Sequence, residues 1–468
     1  MTAPFHIHEA HLIRMSNELE KATAYLNDTP RFARKSTLPD IQRYLERFGN
    51  PHEGMKIVHV AGTNGKGSVS AFIASCLREA GFSVGLFTSP HLTDIRERMT
   101  FNGEMISEEE FLEYFDLVRA ECTEAERDGL PHPLYFEFLF LMAMLWFHKK
   151  SPDYLVLETG LGGRLDATNA IPDKEIAVIT RIGLDHMAYL GDTIASVAGE
   201  KAGILRKNTP AVFLRDPDEA FQVIRAKAEE VGAEAEVVDA GMWEVHSMDE
   251  NGIDFSVYNR YDKTLRARLP LRALYQCENA ALAVTACRIL LGDTGREASP
   301  QVDRILVKGL SAMVWPGRME EILPSVYLDG AHNPDGMRAF LESVGRILAL
   351  KGPERREVRR FLLFSCVRDK MYREELRMIR ESGLFTDIAA VPMKGARALS
   401  AQELREEIGR NAGGIRFHQM DSVEDAVDRL ILRRDDDMEV FAAGSLYLIG
   451  EIRGLIIKNA ADGQPVRR

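Results

Sequence analysis

Between His59 and Phe72 the chain reads HVAGTNGKGSVSAF. Its stretch Gly62-Thr63-Asn64-Gly65-Lys66-Gly67-Ser68 has the residue types of a phosphate cradle. Glycines let backbone N–H groups approach an anion closely, and Lys66 can bring a cation to the terminal phosphates of a nucleotide. In the usual phosphate loop Gly-Lys is followed directly by Ser or Thr. Here Gly67 intervenes, and the hydroxyl arrives at Ser68, where it can bond a phosphate oxygen or approach a metal. Glycines alone also mark structural β–α turns. Thr, Asn and Lys interleaved with them, between a strand-like and a helix-like segment, favour the phosphate reading.

Three more polar residues follow strand-like runs: Ser89 after 83–87, Glu158 at the end of 154–158 and His186 after 176–180. If those runs lie parallel in one sheet, their C-terminal ends share the edge where ligands bind. Hydroxyl, carboxylate and imidazole would then combine with waters and phosphate oxygens to hold Mg²⁺. Each residue also has a plainer reading. Ser89 before Pro90 is a turn residue, Glu158 is an ion-pair partner for Lys66, and His186 is a satisfied buried histidine.

The elements that must position these groups alternate along the chain. Residues 10–48 read as helical with a break near NDTPRF. KIVHVA (56–61) is a strand, and Val69, Phe72, Ile73, Cys76, Leu77 and Ala80 then recur at helical spacing. YLVLE (154–158) and IAVIT (176–180) are apolar throughout, as strands covered on both faces are. Residues 235–271 lose the helical period and read as a small antiparallel β appendage; 274–291 is a helix. GDTGREASPQ (292–301) reads as a linker. Strands near 324–328, 361–366, 386–391 and 438–443 follow, with helices at 334–350, 370–382, 400–410 and 422–434. The expectation is an α/β fold in two domains. Residues 1–296 form a phosphate-loop domain with a mainly parallel sheet, and 297–468 a Rossmann-like α/β domain.

Composition narrows the function. The 468 residues are 45 % hydrophobic and 28 % charged, as in ordinary globular proteins, and the net charge is −12. No Lys/Arg tract offers a surface for nucleic acid, so no such partner is expected. The five cysteines are scattered without a C-x-x-C pair, which signals neither zinc nor a disulfide framework and fits a cytoplasmic setting. The uncharged core of the most apolar run, Phe138 to Phe147, is ten residues, against about twenty for a membrane span. No membrane partner is expected, and a monomer is.

Further blocks follow in order: TSPHL (88–92), ETGLGGRLDATN (158–169), LDHMAYLGDT (184–193), EKAGI (200–204), PGRME (316–320), DGAHNPDG (329–336) and GSLYLIGEI (444–452). With GTNGKGS they resemble the folylpolyglutamate synthase and dihydrofolate synthase branch of the Mur ligase family, in which the late hydroxyl after Gly-Lys-Gly is a branch feature. The resemblance spans nearly the whole chain. It implies an ATP-dependent amide ligase that phosphorylates the γ-carboxylate of a folate and lets L-glutamate attack the acyl phosphate. The resemblance covers enzymes with and without dihydropteroate as a second acceptor, and the sequence does not choose between them. It implies one or two Mg²⁺ ions at Ser89, Glu158 and His186, and a carbamylated Lys201 as a further ligand. Gly62 to Ser68, Asn279, Arg318 and Asp329 would bind the nucleotide: Asn279 the adenine, Arg318 the phosphates, and Asp329 the ribose or Arg318. Phe136, Leu165, Asp166 and Ala167 match segments that line the pterin; Phe136 is as much a core aromatic by composition. Arg164 would bind carboxylate or phosphate, or pair with Asp166. His332 and Ser445 would receive the incoming glutamate.

Two departures from the family pattern fall at Asp369-Lys370-Met371 and Ala396-Arg397-Ala398. Two rival readings are a Mur-type peptidoglycan ligase and a non-catalytic ATP-binding switch. The sixty or so residues before Gly62 are too few for the UDP-sugar domain of the first. The second has no use for the Ser89, Glu158 and His186 set.

Overall fold

The computed structural model describes residues 17–29, 36–259, 264–295, 299–351, 358–393, 398–411, 414–435 and 437–461. The apolar runs of the sequence are central strands of an eight-stranded sheet. In chain order its strands are β1 (Lys56–Ala61), β2 (Val84–Phe87), β3 (Met99–Phe101), β4 (Glu104–Met105), β5 (Tyr154–Glu158), β6 (Ile176–Ile179), β7 (Ala211–Leu214) and β8 (Ala235–Val238). The spatial order is β4-β3-β2-β5-β1-β6-β7-β8. All neighbours from β2 to β8 pair in parallel; β3 and β4 form an antiparallel edge. Every residue of β5 and β6 is buried, because helices cover both faces. Helices Lys66–Glu79 and Tyr275–Leu290 share one core with the first face. Helix Tyr135–Lys150 covers the other, burying Phe138, Phe140, Trp146 and Phe147 to 1 % exposure or less. Burial of each such side chain stabilises the fold by roughly 1.5–3 kcal/mol. Among the described residues no helix is long and apolar enough to cross a membrane.

A three-stranded antiparallel sheet follows: β9 (Trp243–Asp249), β10 (Gly252–Tyr258) and β11 (Thr264–Leu269). This is the appendage, and it is shorter than expected, since Ala235–Val238 joins the main sheet instead. The second unit holds a six-stranded sheet of β12 (Arg318–Leu323), β13 (Val326–Asp329), β14 (Arg359–Phe364), β15 (Asp387–Ala390), β16 (Arg416–Gln419) and β17 (Met438–Ala443). Its order is β12-β13-β17-β14-β15-β16, parallel except for β12.

The expected break at 296/297 does not match the packing. Helix Pro300–Ala312 buries Leu306 and Leu310 in the core of the first unit. Gly309 lies so close to Cys76 that a Cβ there would stand 2.5 Å from the Cys76 Cα. Ser75 Oγ donates to the Gly309 carbonyl at 2.8 Å. The passage between units therefore falls after Ala312, and the polar start of this helix, Ser299 as N-cap and Pro300 at N1, is what resembled a linker. Short strands β3, β4, β7, β12 and β16 were also not anticipated. The 422–434 helix is α-helical over Val423–Ala426 and turns π-helical over Val427–Leu432. Of the N-terminal helical reading, 17–28 and Leu38–Arg47 are helices. Residues 10–16 and 30–35, and Ala396 and Arg397 of the second departure, lie outside the described residues.

Candidate active site

The C-terminal ends of β1, β2, β5 and β6 open onto a cavity of about 810 Å³. Its other wall comes from the second unit, at 329–332 and 444–447. Of the residues singled out above, Arg164 is absent from the lining. Its guanidinium, over half exposed, pairs with Glu200 at 2.7 Å. The expected pairing with Asp166 is thus replaced by one with Glu200.

The glycine loop has the conformation that its residues require. Gly62 has φ 152°, and a Cβ there would fall 1.8 Å from Thr180 Oγ1. Gly65, at φ 87°, precedes helix Lys66–Glu79, and a Cβ would stand 2.3 Å from Asn279 Oδ1. Only glycine fits both places. Thr63 and Asn64 donate their backbone N–H groups to the Arg181 carbonyl at 2.9 and 3.2 Å. The donors left for an anion are thus those of the first helical turn, strengthened by the positive end of the helix. Lys66 Nζ folds back to the Thr63 carbonyl at 3.2 Å and stands 4.0 Å from Glu158 Oε1. Ser68 lines the cavity, and its Oγ accepts from Gln276 Nε2 at 3.1 Å, a bond that leaves the hydroxyl proton to donate. Asn279 donates to Gln276 Oε1 at 3.0 Å, so helix Tyr275–Leu290 braces the loop.

Glu158 is 3 % exposed, and its Oε2 accepts the Ser89 N–H at 2.9 Å. Burial pushes its pKa up, against Lys66, the Ser89 N–H, Arg318 and Arg98. A buried carboxylate whose nearest cation is 4.0 Å away suits a hard metal ion. His186 is held to about 4, chiefly by burial, so its imidazole is neutral and able to ligate. Its Nε2 stands 3.8 Å from Asp185 Oδ1. Among the described residues no three His, Cys, Asp or Glu side chains form a ready metal cluster. The Ser89, Glu158 and His186 set lines one cavity without being a complete cage.

Lys201 is buried at 4 % exposure, and its Nζ donates to the Gly62 carbonyl at 2.6 Å. Burial, then the charge of Lys66, lower its pKa to about 7. Phe136 lies against Gly160, where a Cβ would meet its ring at 2.8 Å, and packs 5.6 Å from Phe87. Asp166 lines the cavity, but its carboxylate is engaged by its own loop: Oδ2 by the Gly160 and Leu161 N–H groups at 2.9 and 2.8 Å, Oδ1 by Thr168. Asp329 is likewise engaged, by Tyr275 Oη–H at 2.6 Å and by the Met319 and Ala331 N–H groups at 2.9 Å each. Burial raises its pKa. Leu165, Ala167, Arg318 and Ser445 also face the cavity.

The residue that sequence reasoning missed is Asp185. It is 8 % exposed and stands where the two units meet. Lys370 forms an ion pair with its Oδ1, Asn333 donates to Oδ2 at 3.2 Å, and His332 Nε2 lies 3.5 Å away. Although burial opposes it, the hydrogen bond and charge of His332, with Lys370 and His186, hold the Asp185 carboxyl well below the usual carboxylate range. Asn333 also exchanges hydrogen bonds with Asn64 of the glycine loop, at 3.2 and 3.0 Å. The stabilisation from Asp185 is full above the ordinary carboxylate pKa and is lost only as pH falls through its lower folded value. Asp185→Asn would leave Lys370 buried without its counter-charge, which costs roughly 3–5 kcal/mol. We expect that variant to open the two units, seen as a larger radius of gyration by small-angle X-ray scattering. An unchanged radius at neutral pH would refute this.

Two α/β units, with a glycine-rich phosphate loop in one facing loops of the other across a shared cavity, define an ATP-dependent ligase of the Mur type. The family profiles agree: the Mur ligase middle domain matches residues 135–287, and the Mur ligase glutamate ligase domain matches 317–446. The dihydrofolate synthase/folylpolyglutamate synthase of Bacillus subtilis is 33 % identical over 447 residues, covering 94 % of this chain and 99 % of its own. The folylpolyglutamate synthase of Mycobacterium tuberculosis complexed with ADP superposes with a TM-score of 0.82 at 27 % identity, covering 94 % of this chain and 98 % of its own. The E. coli FolC in complex with DHPP and ADP gives 0.77 at 29 % identity, with 95 % and 98 % covered. The chain belongs to the folylpolyglutamate synthase/dihydrofolate synthase family of Mur ligases.

Proposed function

We propose that the protein uses ATP to join L-glutamate to the γ-carboxylate of a folate through an acyl phosphate, and that it also accepts dihydropteroate. The observation that carries this is one cavity faced by both units: neither the phosphate loop nor the 329–332 and 444–447 walls could complete it alone. Lys66, the first helical turn and Arg318 take the phosphates, and Asn279 borders the adenine. Phe136, Leu165 and Ala167 receive the pteroyl end; Asp166 shapes that loop. His332 and Ser445 hold the incoming glutamate, whose α-amine attacks the acyl carbon and displaces phosphate. Asp329 acts by fixing the strand that carries Arg318. Magnesium would sit at Glu158 with Ser89, and His186 and a carbamylated Lys201 would add ligands. The ion would offset the negative charge of the transferring phosphoryl group. Dihydropteroate is included because the Bacillus subtilis relative is named for both activities. The reading includes a monomer acting in the cytoplasm on small molecules alone.

The test is product analysis. With ATP, magnesium, L-glutamate and either tetrahydrofolate or dihydropteroate, we expect phosphate release that needs both co-substrates. Mass spectrometry should find products heavier by one or more glutamyl residues. Phosphate release indifferent to glutamate, or no glutamylated product from either acceptor, would overturn the assignment.

A further inference from the structure

His59 lies in the middle of β1, three residues before Gly62, and is 0 % exposed. Its Nε2 is 2.7 Å from Thr168 Oγ1, and Thr168 donates its hydroxyl proton to Asp166 Oδ1 at 2.6 Å. A hydroxyl has one proton. With that proton on Asp166, Thr168 can only accept from the imidazole, so His59 carries its proton on Nε2. The other nitrogen, Nδ1, is buried with no hydrogen-bond partner among the described residues. An unprotonated Nδ1 avoids an orphaned N–H there, which agrees with the same tautomer. Burial, then Lys174 and Arg206 nearby, keep the ring neutral. The chain of bonds therefore runs one way, from strand β1 through Thr168 to Asp166. The Asp166 carboxylate in turn fixes the Gly160 and Leu161 N–H groups, and Gly160 abuts Phe136.

We propose that His59 is a positioning residue: through Thr168 it sets Asp166 and the 160–166 loop against Phe136, in the form that receives the pteroyl end of the substrate. This rests on the function proposed above. A second brace holds the far side of the loop. Asn169 donates to the Arg164 and Gly203 carbonyls at 3.0 and 3.2 Å, and its Oδ1 accepts from Lys174 at 2.6 Å and Arg206 at 2.8 Å. Loss of the His59 relay should thus shift the loop's cavity side without unfolding it.

The decisive variant is Thr168→Val, which keeps the shape and the backbone N–H bond from residue 168 to Asp166 Oδ1 at 3.1 Å and removes both hydrogen bonds of the hydroxyl. We expect KM for tetrahydrofolate or dihydropteroate to rise about tenfold, as loss of a hydrogen bond to a buried charge implies, with kcat and KM for ATP within twofold. Thr168→Ser restores wild-type KM. His59→Gln, whose side-chain amide can donate from the Nε2 position, comes close to it, and His59→Leu behaves like Thr168→Val. A structural residue of the core would lower the melting temperature in all four variants without separating the two KM values. Amide hydrogen exchange at Gly160 and Leu161 needs no substrate and should be faster in Thr168→Val than in wild type. Unchanged exchange, unchanged pteroyl KM in Thr168→Val, or His59→Gln as impaired as His59→Leu would overturn the relay. An inactive wild-type protein with faster exchange in Thr168→Val would instead overturn the proposed function and leave the relay standing.

Discussion

Lys66→Ala is expected to lose about a thousandfold or more in glutamate-dependent ATP turnover while folding normally. The fold has little stake in this side chain: among the described residues its ammonium bonds only the Thr63 carbonyl of its own loop and lies 4.0 Å from Glu158. Catalysis has a large one. The first-turn N–H groups cradle phosphate as partial charges, whereas Lys66 supplies a whole charge in a water-poor cavity, where such charges act strongly on developing negative charge. The loss has a second component. Lys66 is the largest influence opposing the burial that raises the Glu158 pKa. Removing it shifts Glu158 further toward the protonated form and so weakens the proposed magnesium site. The variant should therefore need more magnesium and a higher pH for its residual activity. Phosphate release near the wild-type rate would remove the loop from the catalytic machinery.

What the sequence made legible was local. The glycine loop could be read because its constraints lie within seven consecutive residues and between two elements of clear period. Glu158, Ser89 and His186 could be placed on one edge because three apolar runs imply parallel strands, and parallel strands share a C-terminal edge. The parts that were not legible depend on contacts between distant segments. Asp185 and Lys370 are 185 positions apart and meet only because the two units close on each other. Nothing in either neighbourhood marks the pair, and Asp369-Lys370-Met371 stands out in the sequence only as a departure from the family pattern. His59 read as one more residue of a buried strand, since its partner Thr168 is 109 positions on. Arg164 misled for the opposite reason. Its neighbours line the cavity, but Glu200, on a helix not linked to it by any local pattern, draws its side chain outward. The partner of Ser68 was equally out of reach: Gln276, which donates to its hydroxyl, comes from a helix more than two hundred residues later.

Lys201→Ala is expected to be nearly inactive, although the residue is a lysine in a helix with no motif of its own beyond EKAGI. Ala at an ordinary surface lysine stays within about half a kcal/mol. Lys201 is not such a residue: it is 4 % exposed and bonded to the first glycine of the phosphate loop. Its pKa of about 7 means that a large share of the amine is neutral at physiological pH. The sign follows. The unfolded chain holds this proton up to about pH 10.4, so between roughly pH 7 and 10 the unfolded state binds more protons, and stability from this group rises with pH. A neutral amine is also what carbamylation requires. The lone pair of the neutral amine attacks the carbon of CO₂, the N–C bond forms as one C=O π pair moves onto oxygen, and one N–H proton leaves to solvent. With the proton already shed to reach the neutral amine, two protons in all separate the ammonium from the carbamate anion. That carboxylate would face Lys66, whose charge already acts on this amine, and would give a magnesium ion the anionic oxygen that Glu158 alone cannot complete. Activity should then rise as pH passes through about 7 and fall in CO₂-depleted buffer, with recovery on adding bicarbonate. Acetate or bicarbonate should rescue Lys201→Ala weakly. With ¹³C-labelled bicarbonate, the wild-type protein should show a carbamate carbon signal by NMR that Lys201→Ala lacks. Full activity without CO₂, together with no such signal, would leave Lys201 as a neutral hydrogen-bond donor to Gly62 and exclude it as a metal ligand.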